Sequence, residues 1–311
     1  PHHSSAASDV YKRQAYHEAL MAGNLVHQLR QEVAALFGVS PERICLPVSA
    51  TFGLNQAIHG VVTSGTHVIA TAADHNATLR PLHYLQEKGR IQLSVVPCDG
   101  RGWVDPDDIV RAWQANTSLV TLSHASNVTG VTQEVESIVK VAREREALSL
   151  LDASQSIGHV AVSQYESIAD IIVSPGHKWL MGMHGIAVLY ARQGIHFDPL
   201  IQGGTGSTSE SLEMPVEMQD QVEVGTIDFP AAAALLSGCR WLKEEGVESV
   251  AAACKGYAQA CYDELCDIRG VRVITPDPTS GVLGPPIISM VCDGYSPVEV
   301  AALFEQIAGV Q

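Results

Sequence analysis

The sequence predicts an α/β protein in which a mostly parallel central sheet lies between layers of helices. Short runs of apolar and β-branched residues alternate along the chain with segments of helical periodicity. The predicted strands are apolar throughout rather than at every second residue, which is typical of strands buried on both faces. Right-handed crossovers then bring the carboxyl ends of parallel strands to one edge of the sheet, where ligands bind.

Most of the chain follows this alternating pattern. The predicted strands are residues 67–73, 92–98, 119–126, 148–154, 170–176 and 185–191. From about Trp241 the pattern changes to an alanine-rich helix, two short strands and a final amphipathic helix. We therefore predict a large α/β domain over residues 15–242 and a smaller, incomplete α+β domain over residues 243–311.

The first residues, 1–14, differ from the rest of the chain because they have no apolar periodicity. Their last six residues, "DVYKRQ", resemble the translation of a sequencing-library adapter. We predict that this segment is a foreign or disordered tail and leave it out of the fold prediction.

The composition indicates a globular protein and excludes several classes of function. Apolar residues make up 46% of the 311 residues, and the formal net charge is −15. An acidic chain gains nothing from counterion release, so we expect neither nucleic-acid nor membrane binding. With no membrane-length apolar run and no signal peptide, a cytoplasmic location is expected. The seven cysteines lack metal-ligand spacing, which predicts free thiols and no metal site.

Polar residues follow several of the predicted strands at the point where each strand ends. Each one alone is typical of a turn or helix cap, but together they would meet at one edge of the sheet. They are His75, Asn127, Asp152, Gln155, His177 and Lys178.

Pyridoxal phosphate is a cofactor whose chemical needs match this set. Lys178 can form a Schiff base with its aldehyde, and Gly176 and Gly182 give the surrounding segment conformational freedom. Asp152 can keep the ring nitrogen protonated. His75 can lie flat on the ring, and Gln155 is available as a donor to the phenolic oxygen.

The phosphate group of this cofactor needs donors of its own. The segment "SATFGLNQAIHG" places Ala50, Thr51 and Gly53 at the start of a predicted helix, whose free N–H groups and dipole favour an anion. His177 can add a second donor. The chain contains neither the P-loop nor the dinucleotide-binding glycine pattern, and no nucleophile elbow.

Six motifs carry a resemblance to a known family. They are "ADHNATLRPL", "SHASNVTG", "LLDASQSIGH", "SPGHKW", "GGTGSTSESLE" and "VEVGTIDFPA". In this order they resemble class V aminotransferase-fold enzymes, in particular the cysteine desulfurase family, which includes selenocysteine lyases. The resemblance implies the type I fold of pyridoxal phosphate-dependent transferases, similar to aspartate aminotransferase.

The resemblance also implies a role for each candidate residue. Lys178 would be the Schiff-base lysine and the shuttle for the Cα proton, while Asp152 pairs with the ring nitrogen. Gln155 would contact the phenolic oxygen. His75 would stack on the ring and assist proton transfer, and Asn127 would lie near the substrate.

For the phosphate, the resemblance implies contacts from Ala50, Thr51 and His177. It also implies that Thr226 reaches the phosphate of the other subunit, so that the functional unit is a homodimer. A simpler alternative stays open for two residues: Asn127 would cap the next turn, and Thr226 would begin a helix.

The chain departs from the family pattern at the phosphate site. Most relatives have Ser or Thr at the position of Pro175, so the missing hydroxyl would have to come from Ser174. Phe52 replaces a common glutamate. Both departures are expected to weaken cofactor binding.

Two catalytic groups of the family have no match in this chain. The persulfide-forming cysteine and the arginine that binds the substrate carboxylate are expected beyond Gln311, and a strand is expected before Ala15. The resemblance therefore implies a fragment lacking both ends, which binds pyridoxal phosphate and transfers little sulfur.

For the parent protein, the resemblance implies a cysteine desulfurase that converts L-cysteine to alanine, forms an enzyme persulfide and passes the sulfur to an acceptor protein. Two alternatives stay open. A class V aminotransferase or lyase acting on another amino acid would share Lys178, Asp152 and His75 but needs no nucleophilic cysteine. A non-catalytic scaffold or sulfur-delivery partner would keep the fold and bind no cofactor.

Overall fold

The computed structural model of the chain describes residues 17–160, 168–207, 210–282 and 284–309, so the predicted tail over residues 1–14 lies outside the described residues. The helices are α1 (His17–Phe37), α2 (Ala50–Val61), α3 (Asn76–Glu87), α4 (Pro106–Arg111), α5 (Val135–Glu144), α6 (Met218–Val222), α7 (Phe229–Glu245), α8 (Val247–Cys266) and α9 (Pro297–Leu303). The strands are β1 (Ile44–Cys45), β2 (Thr66–Thr71), β3 (Ile91–Val96), β4 (Thr117–Ser123), β5 (Leu148–Asp152), β6 (Ile171–Pro175), β7 (Ala187–Ala191), β8 (Val271–Val273) and β9 (Met290–Cys292).

The central sheet within the described residues has seven strands in the order β1-β7-β6-β5-β4-β2-β3. The pairs from β3 through β2, β4 and β5 to β6 are all parallel. β7 is antiparallel to both of its neighbours, β6 and β1. The predicted fold class, a mostly parallel sheet between helices, is confirmed.

Both faces of the sheet are buried, and successive strand residues alternate between two hydrophobic clusters. Ile69 packs in the cluster that contains residues of α1, α5 and α7, whereas its neighbour Val68 packs in the cluster that contains residues of α2 and α3. Leu151 and Leu150 divide in the same way. This two-sided burial explains why apolar residues occupy successive positions of the central strands, although small polar residues such as Thr121 and Ser149 are also buried there.

The edge strand β3 departs from the predicted continuous burial. Gln92 and Val95 are exposed, while Ile91 and Val96 at the two ends of the strand are buried. β3 pairs with β2 alone and is the last strand of the sheet. The helical layers cover an edge strand less completely than a central strand, so part of β3 stays exposed.

The last part of the chain contains the predicted long helix and two strands. α8 is followed by β8 and β9, which form a two-stranded antiparallel sheet. Of the residues of α8, Ala258 is buried. The predicted boundary between residues 242 and 243 falls inside α7, which ends at Glu245. The division into two domains stays a prediction.

Two further features concern only the part of the chain that the structure describes. No helix there combines the length and apolar character needed to cross a bilayer. No three His, Cys, Asp or Glu side chains there are grouped so that they could hold a metal ion.

Candidate active site

A cavity of about 220 Å³ opens at the carboxyl edge of the parallel strands. Its walls come from the ends of β4, β5 and β6, from the turn after β2 and from the first turn of α2. This is the edge at which ligands bind in open α/β sheets. The lining residues are Ser49, Ala50, Thr51, Leu54, His75, Ala77, Ser123, Ala125, Asn127, Asp152, Ser154, Gln155, Pro175, His177 and Lys178.

The cavity brings together eight of the ten predicted site residues, although they are spread over more than a hundred positions of the chain. The parallel strands achieve this by delivering successive turns to one edge. These eight residues are Ala50, Thr51, His75, Asn127, Asp152, Gln155, His177 and Lys178.

Asp152 is the last residue of β5 and is only 6% exposed. The neighbouring strands hold it in register, since it pairs with Ser123 on one side and Val173 on the other. Its Oδ1 accepts a hydrogen bond from the Ser154 backbone N–H at 3.0 Å. One carboxylate oxygen is thereby anchored, which leaves the other oxygen for a ligand in the cavity.

A second buried carboxyl, Asp74, braces the strand ends beside the cavity. Its Oδ1 accepts from the Ser123 N–H at 2.6 Å, and its Oδ2 accepts from the Thr71 N–H at 3.0 Å. Burial and, to a smaller extent, the nearby charge of Asp152 raise the pKa of Asp74 to about 7, against the opposing effect of these hydrogen bonds. Asp74 therefore ties the end of β2 to the end of β4.

His75 has its ring fixed by the helix that follows it. It is the N-cap of α3, and its Nδ1 accepts a hydrogen bond from the Ala77 N–H at 3.1 Å. An Nδ1 that accepts leaves the proton on Nε2 in the neutral ring. His75 therefore both caps α3 and lines the cavity.

Lys178 lies in the turn between β6 and β7. The glycines near it allow close packing and do not provide the conformational freedom that was predicted for this segment. The Gly182 N–H donates to the Gly176 carbonyl oxygen at 2.8 Å. A Cβ at Gly182 would lie 2.9 Å from that oxygen and 3.0 Å from the Cα of Leu235 in α7. The turn is therefore seated on α7, and Lys178 projects from a braced backbone. Among the described residues its ammonium makes no ion pair.

His177 precedes Lys178 and contacts a residue that the sequence analysis missed. Its ring centroid lies 4.1 Å from that of His184, with the planes tilted by 37°. Partial burial lowers the pKa of His177, and the nearby His184 and Lys178 lower it further. A neutral His177 can still donate one N–H to an anion, but it adds no positive charge.

The first turn of α2 supplies backbone donors to the cavity. Ser49 is the N-cap, and its Oγ accepts from the Phe52 N–H at 3.1 Å. Ala50 and Thr51, which come next, line the cavity, and N–H groups at this helix position have no intrahelical partner. Gly53 has a packing role instead, because a Cβ there would lie 3.0 Å from Val173 Cγ1. The Gly53 N–H also donates to the Ser49 carbonyl oxygen at 2.9 Å, so it is not one of the free donors predicted for the phosphate.

Two predicted phosphate contacts do not line the cavity. Ser174 is a buried residue of β6, and the next residue, Pro175, lines the cavity in its place. Successive strand residues point to opposite faces, so the two side chains cannot share one direction. Thr226 is exposed and lies outside the cavity lining. Ser174 as a replacement hydroxyl is thus not favoured by the structure.

The simpler roles considered for Asn127 and Thr226 belong to other residues. In the turn that contains Asn127, the Oγ of Ser126 accepts from the Val128 and Thr129 N–H groups at 3.1 Å each. The N-cap of α7 is Asp228, whose Oδ1 accepts from the Ala231 N–H at 3.0 Å. Ser126 therefore caps the turn, and Asp228 begins the helix.

Sequence analysis also missed three serines of the cavity wall, Ser49, Ser123 and Ser154. Ser49 could have been found, since a serine directly before an apolar-periodic segment is a helix N-cap signal. Ser123 and Ser154 have no comparable signal, because their positions depend on where β4 and β5 end in the sheet.

His124 gives the fold a pH dependence that can be measured. Its side chain is 7% exposed, and its Nδ1 has no hydrogen-bond partner among the described residues. Burial lowers the pKa of His124 from its ordinary 6.5 to about 4. Between pH 6.5 and about 4, His124 binds a proton in the unfolded chain but stays neutral in the folded chain. His124 should therefore lower the free energy of unfolding by up to about 3 kcal/mol as the pH drops from 6.5 to about 4, while the raised pKa of Asp74 acts in the opposite direction over the same range.

The measurement is urea unfolding at a series of pH values for the wild type and His124→Gln. We expect the free energy of unfolding of the wild type, relative to that of His124→Gln, to fall by up to about 3 kcal/mol between pH 6.5 and about 4, and the exposed His83→Gln serves as the control. Equal slopes in all three proteins would show that His124 titrates normally.

Comparisons with known proteins agree with this fold. The family model for aminotransferase class V matches residues 2–310. The chain is 33% identical over 184 residues to "Cysteine desulfurase IscS" of Dictyoglomus turgidum, a match that covers 58% of this chain and 46% of that protein. It is 30% identical over 241 residues to "Probable cysteine desulfurase" of Pyrococcus abyssi, covering 74% of this chain and 59% of that protein.

A solved structure extends the similarity to the fold. The cysteine desulfurase of Thermococcus onnurineus NA1, in its apo form, superposes with a TM-score of 0.83 at 26% identity. The superposition covers 94% of this chain and 74% of that one. The chain spans about half the length of the first curated relatives it matches. Because the family model matches almost the whole chain, the chain belongs to the class V aminotransferase family.

Proposed function

We propose that this chain forms the pyridoxal phosphate site of a cysteine desulfurase. The observation that carries the proposal is the meeting of Lys178, Asp152, His75 and Gln155 in the wall of one cavity. An amine, a buried carboxylate, an imidazole and an amide donor are the groups that this cofactor needs. The curated relatives above are named as cysteine desulfurases, which supports the desulfurase branch of the family.

Each of these residues has a distinct task in the proposal. The cofactor, when bound, supplies an electron-poor ring that stabilises negative charge on the Cα of an amino acid. Lys178 holds the cofactor covalently and moves the Cα proton of the substrate. Asp152 keeps a proton on the ring nitrogen, and Gln155 donates a hydrogen bond to the phenolic oxygen. His75, with its ring fixed by α3, covers one face of the cofactor ring.

The phosphate group is assigned to the start of α2. The unpaired N–H groups and the positive end of the helix dipole favour an anion there. Thr51 adds its hydroxyl, and His177 adds an N–H from the turn after β6. Pro175 at the end of β6 supplies no donor, so we expect weaker phosphate binding than a hydroxyl at that position would give.

L-Cysteine is the proposed substrate. We expect the thiol that accepts its sulfur to come from a group that does not line the cavity described above. None of the seven cysteines lines the cavity. Burial raises the pKa of Cys45 and raises that of Cys239 to about 12, so neither is a ready thiolate. Added thiol can replace a missing protein thiol in an assay.

We also propose a homodimer in which Thr226 contacts the phosphate at the partner's site, and a separate sulfur-acceptor protein. The exposure of Thr226 outside the cavity of its own chain is compatible with this role. Sedimentation of the protein with and without pyridoxal phosphate tests the dimer directly.

The experiment that tests the function supplies the protein with pyridoxal phosphate, L-cysteine and excess dithiothreitol. Dithiothreitol accepts the sulfur as a persulfide and then reduces it to sulfide, so alanine and sulfide should form in equal amounts. Formation of pyruvate, ammonia and sulfide, or amino transfer to an added keto acid, would instead identify a lyase or an aminotransferase. No uptake of pyridoxal phosphate would favour a scaffold.

A further inference from the structure

Trp179 follows Lys178 directly, yet it is not part of the cavity wall. Its indole Nε1–H donates a hydrogen bond to Oε1 of Gln155 at 3.0 Å. An indole nitrogen can only donate, whereas an amide has an oxygen that accepts and a nitrogen that donates. The indole therefore holds the amide oxygen of Gln155, and the amide nitrogen is left for the cavity.

Trp179 is held by the turn that carries Gln155 at two points, its indole ring and its backbone. The ring of His159 meets it edge-on, with the centroids 4.7 Å apart and the planes at 65°. Gly158, with φ +84°, brings the backbone so close that a Cβ there would lie 2.3 Å from the Trp179 carbonyl oxygen. The two turns therefore lock together, and the indole has little freedom to turn away from Gln155.

We infer that Trp179 is a positioning residue that makes the Gln155 amide present its NH₂ group, and not its oxygen, to the cavity. An amide fixed in this way prefers a ligand atom that accepts hydrogen bonds and carries negative charge. We take this ligand atom to be the phenolic oxygen of pyridoxal phosphate, and that part of the inference rests on the proposed function. Without Trp179 the amide could rotate, and the preference would be lost.

The first test measures pyridoxal phosphate binding in a double-mutant cycle. Trp179→Phe keeps an aromatic ring beside His159 but removes the donor, and Gln155→Leu removes the amide. We expect Trp179→Phe to raise the Kd about threefold to tenfold, the size of one neutral hydrogen bond. If Trp179 acts through Gln155, Trp179→Phe should have almost no further effect in the Gln155→Leu background. Effects that multiply independently would overturn the inference.

The second test needs no cofactor, so it separates this inference from the proposed function. In the cofactor-free protein, the indole N–H signal of Trp179 is identified in NMR spectra by its loss in Trp179→Phe. We expect Gln155→Leu to displace that signal and to speed its exchange with solvent, while the signal of Trp241, assigned by Trp241→Phe, stays unchanged. An unmoved Trp179 signal would contradict the inference, even in a protein that binds pyridoxal phosphate well. Conversely, a moved signal in a protein that takes up no cofactor would contradict the proposed function alone.

Discussion

Lys178→Ala is expected to lower alanine formation from L-cysteine by at least about 1000-fold, because no other lysine among the described residues lines the cavity to form the covalent link and move the Cα proton. The cofactor should still bind weakly, since the donors at the start of α2 are unchanged. The absorption band of the lysine-linked cofactor should be lost. Alanine release and the absorption spectrum of the protein mixed with pyridoxal phosphate are the two measurements.

Two matched variants separate the covalent role of Lys178 from its charge. Lys178→Arg keeps the positive charge but cannot condense with an aldehyde at neutral pH, so it should be as inactive as Lys178→Ala. Lys140→Ala removes a lysine whose side chain is 77% exposed on α5, and it should behave as the wild type. Activity and an unchanged spectrum in Lys178→Arg would mean that this lysine acts only through its charge.

Asp152→Asn is expected to lower kcat about 100-fold to 1000-fold, the usual loss when one group that stabilises developing charge is removed. The amide oxygen of asparagine can still accept the Ser154 N–H, so the turn after β5 should keep its shape. What is lost is the negative charge that we propose holds a proton on the ring nitrogen. Steady-state kinetics, with urea unfolding beside it, measures the two effects separately.

The exposed Asp267→Asn is the control for Asp152→Asn, and we expect it to change neither kcat nor the free energy of unfolding by more than a small amount. A kcat for Asp152→Asn within threefold of the wild type, in a stably folded protein, would show that Asp152 does not face the ring nitrogen.

The fold and the meeting point of the site residues could be predicted because both follow from residue type along the chain. Continuous apolar runs indicate buried parallel strands, and parallel strands bring the residues that follow them, such as Asp152 and Lys178, to one edge. β1 escaped prediction since it has two residues, Ile44 and Cys45, too few for a periodic pattern. The exposure of Val95 escaped because the sequence does not reveal which strand lies at the edge of the sheet.

The details of the phosphate side depended on packing that residue type alone does not reveal. Gly53 and Gly182 were predicted to serve a ligand or a flexible segment, but both allow close contact between a helix and its neighbours. Ser174 faces away because of its place in the strand. The bond between Trp179 and Gln155 joins two turns separated by 24 residues and depends on the rotamers of both side chains.

The central claim is that the amino group of Lys178 is the attachment point for pyridoxal phosphate. Reduction of the cofactor-loaded protein with borohydride, followed by peptide mass spectrometry, tests it most directly because reduction makes the link permanent. We predict a single stoichiometric pyridoxyl phosphate adduct on Lys178 in the peptide that contains "GHKW". Adducts scattered over exposed lysines such as Lys140 and Lys243, or none at all, would contradict the assignment.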